Sequence, residues 1–305
     1  MADPLFHTII VGGGPAGWSA ALVLGRCRRQ VLLIDAGQPR NAASHAMHAF
    51  ISRDGVEPAT FLQQAREDAL RYPTVTLVRG IATDARCDGD RFTVTMQDGS
   101  QHASSTLLLA TGVVDELPAL PGIGALYGRS VHHCPYCDAW EHRDAPIAVY
   151  GRGEKGVGLA LMLTLWSKDV VLCTDGIDEH ARAEQSRLAA FGVTLREEKI
   201  ERLEGDPQGR LEGVLFEGGQ RIERRALFFN TGQHQRSSLF DRLGCRFDDR
   251  GGVVARRTSE ETNVPGVYVA GDASRDVLLV VVAAAEGAKA AFAINHLLLQ
   301  REGRG

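Results

Sequence analysis

Two glycine-rich loops, each set between an apolar strand-like run and a stretch rich in alanine and leucine, constrain this chain more than any other feature. Phe6 to Val11 runs into Gly12-Gly13-Gly14-Pro15-Ala16-Gly17 and then Trp18 to Leu24. Pro146 to Tyr150 runs into Gly151-Arg152-Gly153-Glu154-Lys155-Gly156 and then Val157 to Trp166. Each reads as strand, tight turn and helix. A second short strand follows in both copies, Val31 to Ile34 and Val170 to Cys173, and Asp35 and Asp175 lie 23 and 24 residues after their first glycines. This is an internal repeat of a βαβ unit. Such a turn lets backbone approach a pyrophosphate closely and offers it the N–H groups of a helix N-terminus. The acid some 20 positions on accepts from ribose hydroxyls. The pattern predicts an α/β chain with two Rossmann-like nucleotide-binding domains of the three-layer ββα kind, the second inserted into the first.

The rest of the chain repeats the same order. Leu107 to Thr111-Gly112 and Ala226 to Thr231-Gly232 are strands ending in Thr-Gly, 120 residues apart. Pro265 to Gly271-Asp272 reads as another strand, followed by a long alanine-rich helix to about Leu299. Alternating stretches predict antiparallel meanders over Val75 to Thr106 and Val193 to Arg225. The expected division is a discontinuous first domain, residues 1–115 and 237–305, and an inserted domain, residues 116–236, with hinges at Leu117 to Gly124 and Gln233 to Ser238. Ten of the 34 glycines fall in the two loops and at the strand ends facing them.

Formal charge is −4, with 34 basic and 38 acidic residues interleaved, which argues against nucleic acid or an anionic membrane as partner. The longest apolar run, Val277 to Ala285, covers nine residues, well short of the roughly 20 that span a bilayer, so no membrane segment is expected. Met1-Ala2-Asp3-Pro4 lacks the basic region of a signal peptide, and a cytoplasmic location is expected. Six cysteines in 305 residues are too sparse for a disulfide framework.

Two of those cysteines form Cys134-Pro135-Tyr136-Cys137, with Asp138 next to them and His132 and His133 just ahead. A pair at this spacing can close a disulfide and so store two electrons. A neighbouring carboxyl or imidazole is what exchange needs, because one thiol must lose a proton and the departing sulfur must gain one. Zinc is the alternative, but it normally uses a second spaced pair, and His132 and His133 are too close to Cys134 to complete a four-ligand shell easily. Cys27, Cys87, Cys173 and Cys245 stand alone and are expected to be inert.

The order of glycine fingerprint, Ala-Thr-Gly, Cys-x-x-Cys-Asp, second fingerprint, Thr-Gly and Ala-Gly-Asp resembles the low-molecular-weight thioredoxin reductases over nearly the whole chain. The resemblance implies a homodimeric flavoprotein with FAD in the discontinuous domain and a nicotinamide site in the inserted one. By that match Gly12, Gly14, Pro15, Ala16, Gly17 and Asp35 would contact FAD, with Thr111, Gly112, Gly271 and Asp272 closing around it. Asn41, His48 and Ala82 join the same set. Cys137 would face the flavin, Cys134 would exchange with substrate, and Asp138, with His133, would handle protons. The Arg-Arg pair that reads the NADPH phosphate is missing, and the Arg-Gln pair after Gly-Asp aligns with Leu279-Val280, leaving backbone N–H groups to contact the flavin. Arg40 to His48 and Gly271 to Asp276 look more like a thioredoxin-reductase-like branch that includes the dithiol oxidases of gliotoxin- and holomycin-type natural products. Two readings follow: FAD-dependent oxidation of a dithiol with oxygen as acceptor, and NAD(P)H- or ferredoxin-dependent reduction of thioredoxin or another disulfide. NAD(P)H binding stays open, since a glycine motif reports fold more securely than occupancy.

Overall fold

The computed structural model describes residues 5–304; Met1 to Pro4, read above for a leader sequence, lie outside them. The chain divides into two compact units, one of residues 1–42, 50–114 and 233–305, the other of residues 43–49 and 115–232. Segment 43–49 thus belongs with the second unit, where the sequence reading had it in the first. Backbone at Ala43 presses on Gly128, whose φ of +77° and missing Cβ make room for it.

The first unit is built on a seven-stranded sheet. Strands Val75–Arg79, Val31–Asp35, Phe6–Val11 and Gln101–Leu109 lie side by side in parallel. Gln101–Leu109 pairs with Val267–Val269 in parallel at Leu107 to Leu109, and with Arg91–Met96 in antiparallel at Gln101 to Ser104. One nine-residue strand therefore serves both the parallel sheet and the antiparallel meander completed by Ala82–Asp88. The parallel strands are near-continuous apolar runs because both faces are covered. Ile10, Val31, Leu33, Leu108 and Tyr268 pack under the helices Pro15–Arg26 and Val280–Arg301. Their neighbours Ile9, Val11, Leu32, Ile34, Leu107 and Leu109 point the other way, onto Phe92, Val94 and Met96 of the meander.

The second unit repeats the plan. Its five parallel strands run in the order Val193–Arg196, Val170–Cys173, Ile147–Tyr150, Ala226–Phe229, Val131–His132. Ile147, Val149, Val170, Leu172 and Phe228 pack against helix Gly153–Leu163. Ala148, Val171, Leu227 and Phe229 pack against an antiparallel layer of Ile200–Gly205, Leu211–Phe216 and Arg221–Glu223.

Several expectations shift. Val75–Arg79 and Val193–Arg196 are parallel edge strands, so the meanders begin only at Ala82 and Ile200. Leu117 to Gly124, expected as a hinge, supplies Leu120 and Ile123 to the second core. A helix at Pro58–Leu70 had not been anticipated. Val280–Arg301, with mean hydropathy 1.2 over 18 residues, is by length and composition long and apolar enough to cross a membrane. It buries Ala283, Glu286, Gly287, Ala290, Ala291, Ile294 and Leu298 within the first unit, as a core helix does.

Candidate functional site

The first glycine loop is a cradle that side chains would fill. A Cβ on Gly12, whose φ is +114°, would lie 2.2 Å from Ala110 O, and one on Gly17 would lie 1.9 Å from Gly12 O. Gly14 differs, because a Cβ there would meet nothing within 4 Å. It caps helix Pro15–Arg26, whose first turn has Pro15 at its start and no side chain on its N–H groups. The positive end of a 12-residue helix dipole thus has no side-chain cap. Asp35 stands over Gly13 and accepts from Gly37 N at 3.0 Å and from Arg79 at 2.5 Å.

The other expected cofactor residues fall at several places. Thr111 presents a buried Oγ1 with no hydrogen-bond partner, and Gly112, at φ +67°, is open on its Cβ side. Gly271, at φ +80°, abuts Ala16, while Asp272 is paired with Arg40 at 2.8 Å, which anchors the segment carrying Asn41. Leu279 caps the last helix and Val280 begins it, again with no side chain on the first N–H groups. Ala82 opens the meander opposite Met96. His48 lies in segment 43–49 of the second unit, with its Nε2 3.5 Å from Glu141 Oε1.

The second glycine loop differs: its helix begins at Gly153, at φ +60°, and its first N–H meets one of the protein's own side chains. Gly153 N, the first N–H of its helix, donates to Asp178 Oδ2 at 2.7 Å, and Asp178 Oδ1 accepts from Ala181 N at 3.0 Å. Burial alone would raise the Asp178 pKa, but these two N–H groups and Arg152 hold it below the ordinary value. Arg152 folds across the loop to donate to Thr174 O and Ile177 O, both at 2.6 Å. Asp175, the expected ribose acid, accepts from Ile200 N at 2.8 Å and Tyr150 OH at 3.4 Å. A dinucleotide pyrophosphate using the Gly153 N–H would have to displace the Asp178 carboxylate.

Cys134 and Cys137 are joined as a disulfide, with Cα atoms 5.3 Å apart. The sulfurs are therefore bonded to each other rather than presented as two metal-binding thiolates. Cys134 caps the one-turn helix Pro135–Asp138, its carbonyl accepting from Cys137 N and Asp138 N, both at 3.2 Å. Pro135 suits that first position, where its missing N–H costs nothing. Asp138 is raised to about 7, chiefly by burial and then by Glu141, against a lowering pull from His48.

The imidazole against Asp138 belongs to His132, whose Nδ1 is 3.3 Å from Oδ1. His133, expected in that role, has its Nδ1 3.1 Å from Tyr127 OH and its ring stacked on Tyr127. The two histidines follow one another along extended chain and point to opposite sides. His142 went unnoticed in the sequence; its Nε2 lies 3.0 Å from His132 Nε2. Asp178 carries a helix-start signal, an Asp before an Ala-rich stretch, but no local pattern announces that it reaches Gly153.

Residues 6–287 match the family model described as pyridine nucleotide-disulphide oxidoreductase, and the chain belongs to that family. Within it the chain falls in the thioredoxin-reductase-like branch. It is 32% identical over 280 residues to thioredoxin reductase tcpT of Claviceps purpurea, covering 88% of this chain and 86% of that one. The crystal structure of HlmI superposes with a TM-score of 0.91 at 36% identity, covering 98% of this chain and 94% of that one. A putative thioredoxin reductase TrxB of Bacillus anthracis superposes with a TM-score of 0.91 at 31% identity, covering 97% and 99%. The chain is thus a thioredoxin-reductase-like oxidoreductase with a disulfide-forming cysteine pair, and the family implies a flavin. The first loop fits one: an uncapped helix N-terminus, open space at Gly14 and the orphaned Thr111 hydroxyl are what a dinucleotide would satisfy.

Proposed function

We propose that this protein is an FAD-dependent thiol–disulfide oxidoreductase that oxidises a substrate dithiol through Cys134 and Cys137, with dioxygen as final acceptor. The observation that carries the direction is the second glycine loop, where the Gly153 N–H, Arg152 and Asp175 are bonded to groups of the protein itself rather than held ready for a nicotinamide donor. Gly12, Gly14, Gly17, Thr111 and Gly271 would hold FAD, which supplies a two-electron acceptor that oxygen can reoxidise.

In this reading a substrate thiolate attacks Cys134, and Cys137 leaves as a thiolate. The second substrate sulfur then displaces Cys134 to close the product disulfide. Asp138 is suited to proton exchange near neutrality, because burial brings its pKa to about 7.

An anaerobic titration of the yellow holoprotein with NADPH, NADH and dithiothreitol tests the proposal. Dithiothreitol should bleach the flavin, air should restore the colour, and neither nicotinamide should bleach it on the same timescale. Rapid bleaching by NADPH would overturn the oxidase direction in favour of a nicotinamide-driven reductase.

A further inference from the structure

We propose that Asp138, His132 and His142 form a proton relay that carries the proton released in dithiol oxidation from the redox pair to the outer nitrogen of His142. The proposal rests on the dithiol-oxidising reading and extends the site beyond the disulfide and its adjoining acid.

His132 is the centre of the relay. It is 3% exposed, its Nδ1 faces Asp138 and its Nε2 faces His142. Its ring packs against Phe228, with centroids 5.4 Å apart. Two ring nitrogens 3.0 Å apart need one proton between them, one donating and the other accepting. This requirement ties the three groups into two complementary states. In the first, protonated Asp138 donates to His132 Nδ1, and His132 Nε2–H donates to His142 Nε2. In the second, His132 Nδ1–H donates to the Asp138 carboxylate, and His142 Nε2–H donates to His132 Nε2. Passing from first to second moves one proton along each bond and releases one from His142 Nδ1.

His132 is neutral in both states, as its surroundings require. Burial, then the neighbouring His142, His133 and His45, hold its pKa near 3. His142 is lowered too, by burial and then by His45, yet it is only partly buried and gives the relay its outlet. The remaining charged groups facing the relay are Glu141, which raises Asp138, and His48, which pairs with Glu141 and lowers it.

The redox step supplies the proton. The first substrate thiol gives its proton to the Asp138 carboxylate. Its sulfur bonds Cys134 Sγ as the Cys134–Cys137 bond breaks, and the electron pair leaves on Cys137. The second substrate sulfur bonds the first and displaces Cys134, which takes the second proton. The substrate loses two electrons, the cysteine pair gains them, and the proton left on Asp138 is the one exported.

The test is stopped-flow bleaching of the FAD-loaded protein by dithiothreitol across pH. His142→Gln keeps a polar group beside His132 but cannot pass a proton, so bleaching should slow about 10²-fold. Its rise through about pH 7, where Asp138 becomes a carboxylate, should flatten. His142→Gly should be equally slow and regain rate in proportion to added imidazole. A wild-type rate and pH profile in His142→Gln would overturn the relay. Slow variants that imidazole does not rescue would overturn it as well, by assigning His142 a packing role. Failure of the underlying reading looks different: Cys134→Ser would still bleach with dithiothreitol.

Discussion

Glu286 shows how burial and charge combine at a single residue beside the proposed flavin cradle. Its carboxylate accepts from Gly271 N at 2.6 Å, but it is 7% exposed, and burial raises its pKa to about 7, with the Gly271 N–H pulling down and Glu260 adding to the rise. The native state therefore holds a proton that the unfolded chain has lost above its ordinary carboxyl pKa. Stability should be fully present below that value and decline as pH rises through about 7. Gln at this position still accepts from Gly271 N and carries no charge, so Glu286→Gln should gain stability relative to wild type between pH 5 and pH 8. Urea midpoints at the two pH values check this; an unchanged difference between the proteins would refute it. At the redox pair the sequence made Cys134, Cys137 and Asp138 readable, because adjacent residues carry their chemistry together. It could not show which of two consecutive histidines meets Asp138, since that depends on how the chain turns where strand Val131–His132 ends.

Helices Pro15–Arg26 and Val280–Arg301 meet through glycine. A Cβ on Gly287 would lie 2.0 Å from Ala16 O, which is backbone and cannot swing aside. Gly287→Ala should destabilise the protein by about 1–3 kcal/mol, as overpacking does, and weaken FAD retention because Ala16 belongs to the loop. Gly158→Ala is its counterpart: exposed in helix Gly153–Leu163, with nothing within 4 Å of the added Cβ, it should gain up to about 1 kcal/mol. Thermal midpoints of the two variants should move in opposite directions. At this scale most of the fold was legible, because both sheets are buried on two faces and their strands read as unbroken apolar runs next to glycine turns. The misread strands, Val75–Arg79 and Val193–Arg196, sit at sheet edges and are half exposed, so they alternate as antiparallel strands do. Helix Pro58–Leu70 escaped notice because it buries only Pro58 and Ala69 and so writes a faint periodic pattern.

Among the described residues there are four apolar clusters, two made up of residues of the first unit and two of residues of the second. Two cores of this kind should melt as two transitions. Excess FAD should raise only one of them, since a ligand stabilises the unit that binds it by mass action. Calorimetry at increasing FAD checks this, and a single transition that moves as a whole would refute it. The split of the first unit across residues 1–42, 50–114 and 233–305 also bears on how the protein is made. On the ribosome, the stretch 115–232 emerges uninterrupted and can close around its own core while the first unit still lacks strand Val267–Val269 and helix Val280–Arg301. The nascent chain would then pass through a stage in which the cysteine pair is in place before its electron acceptor can be captured. During that interval the pair's oxidation state would be set by the surrounding thiol pool rather than by the enzyme itself.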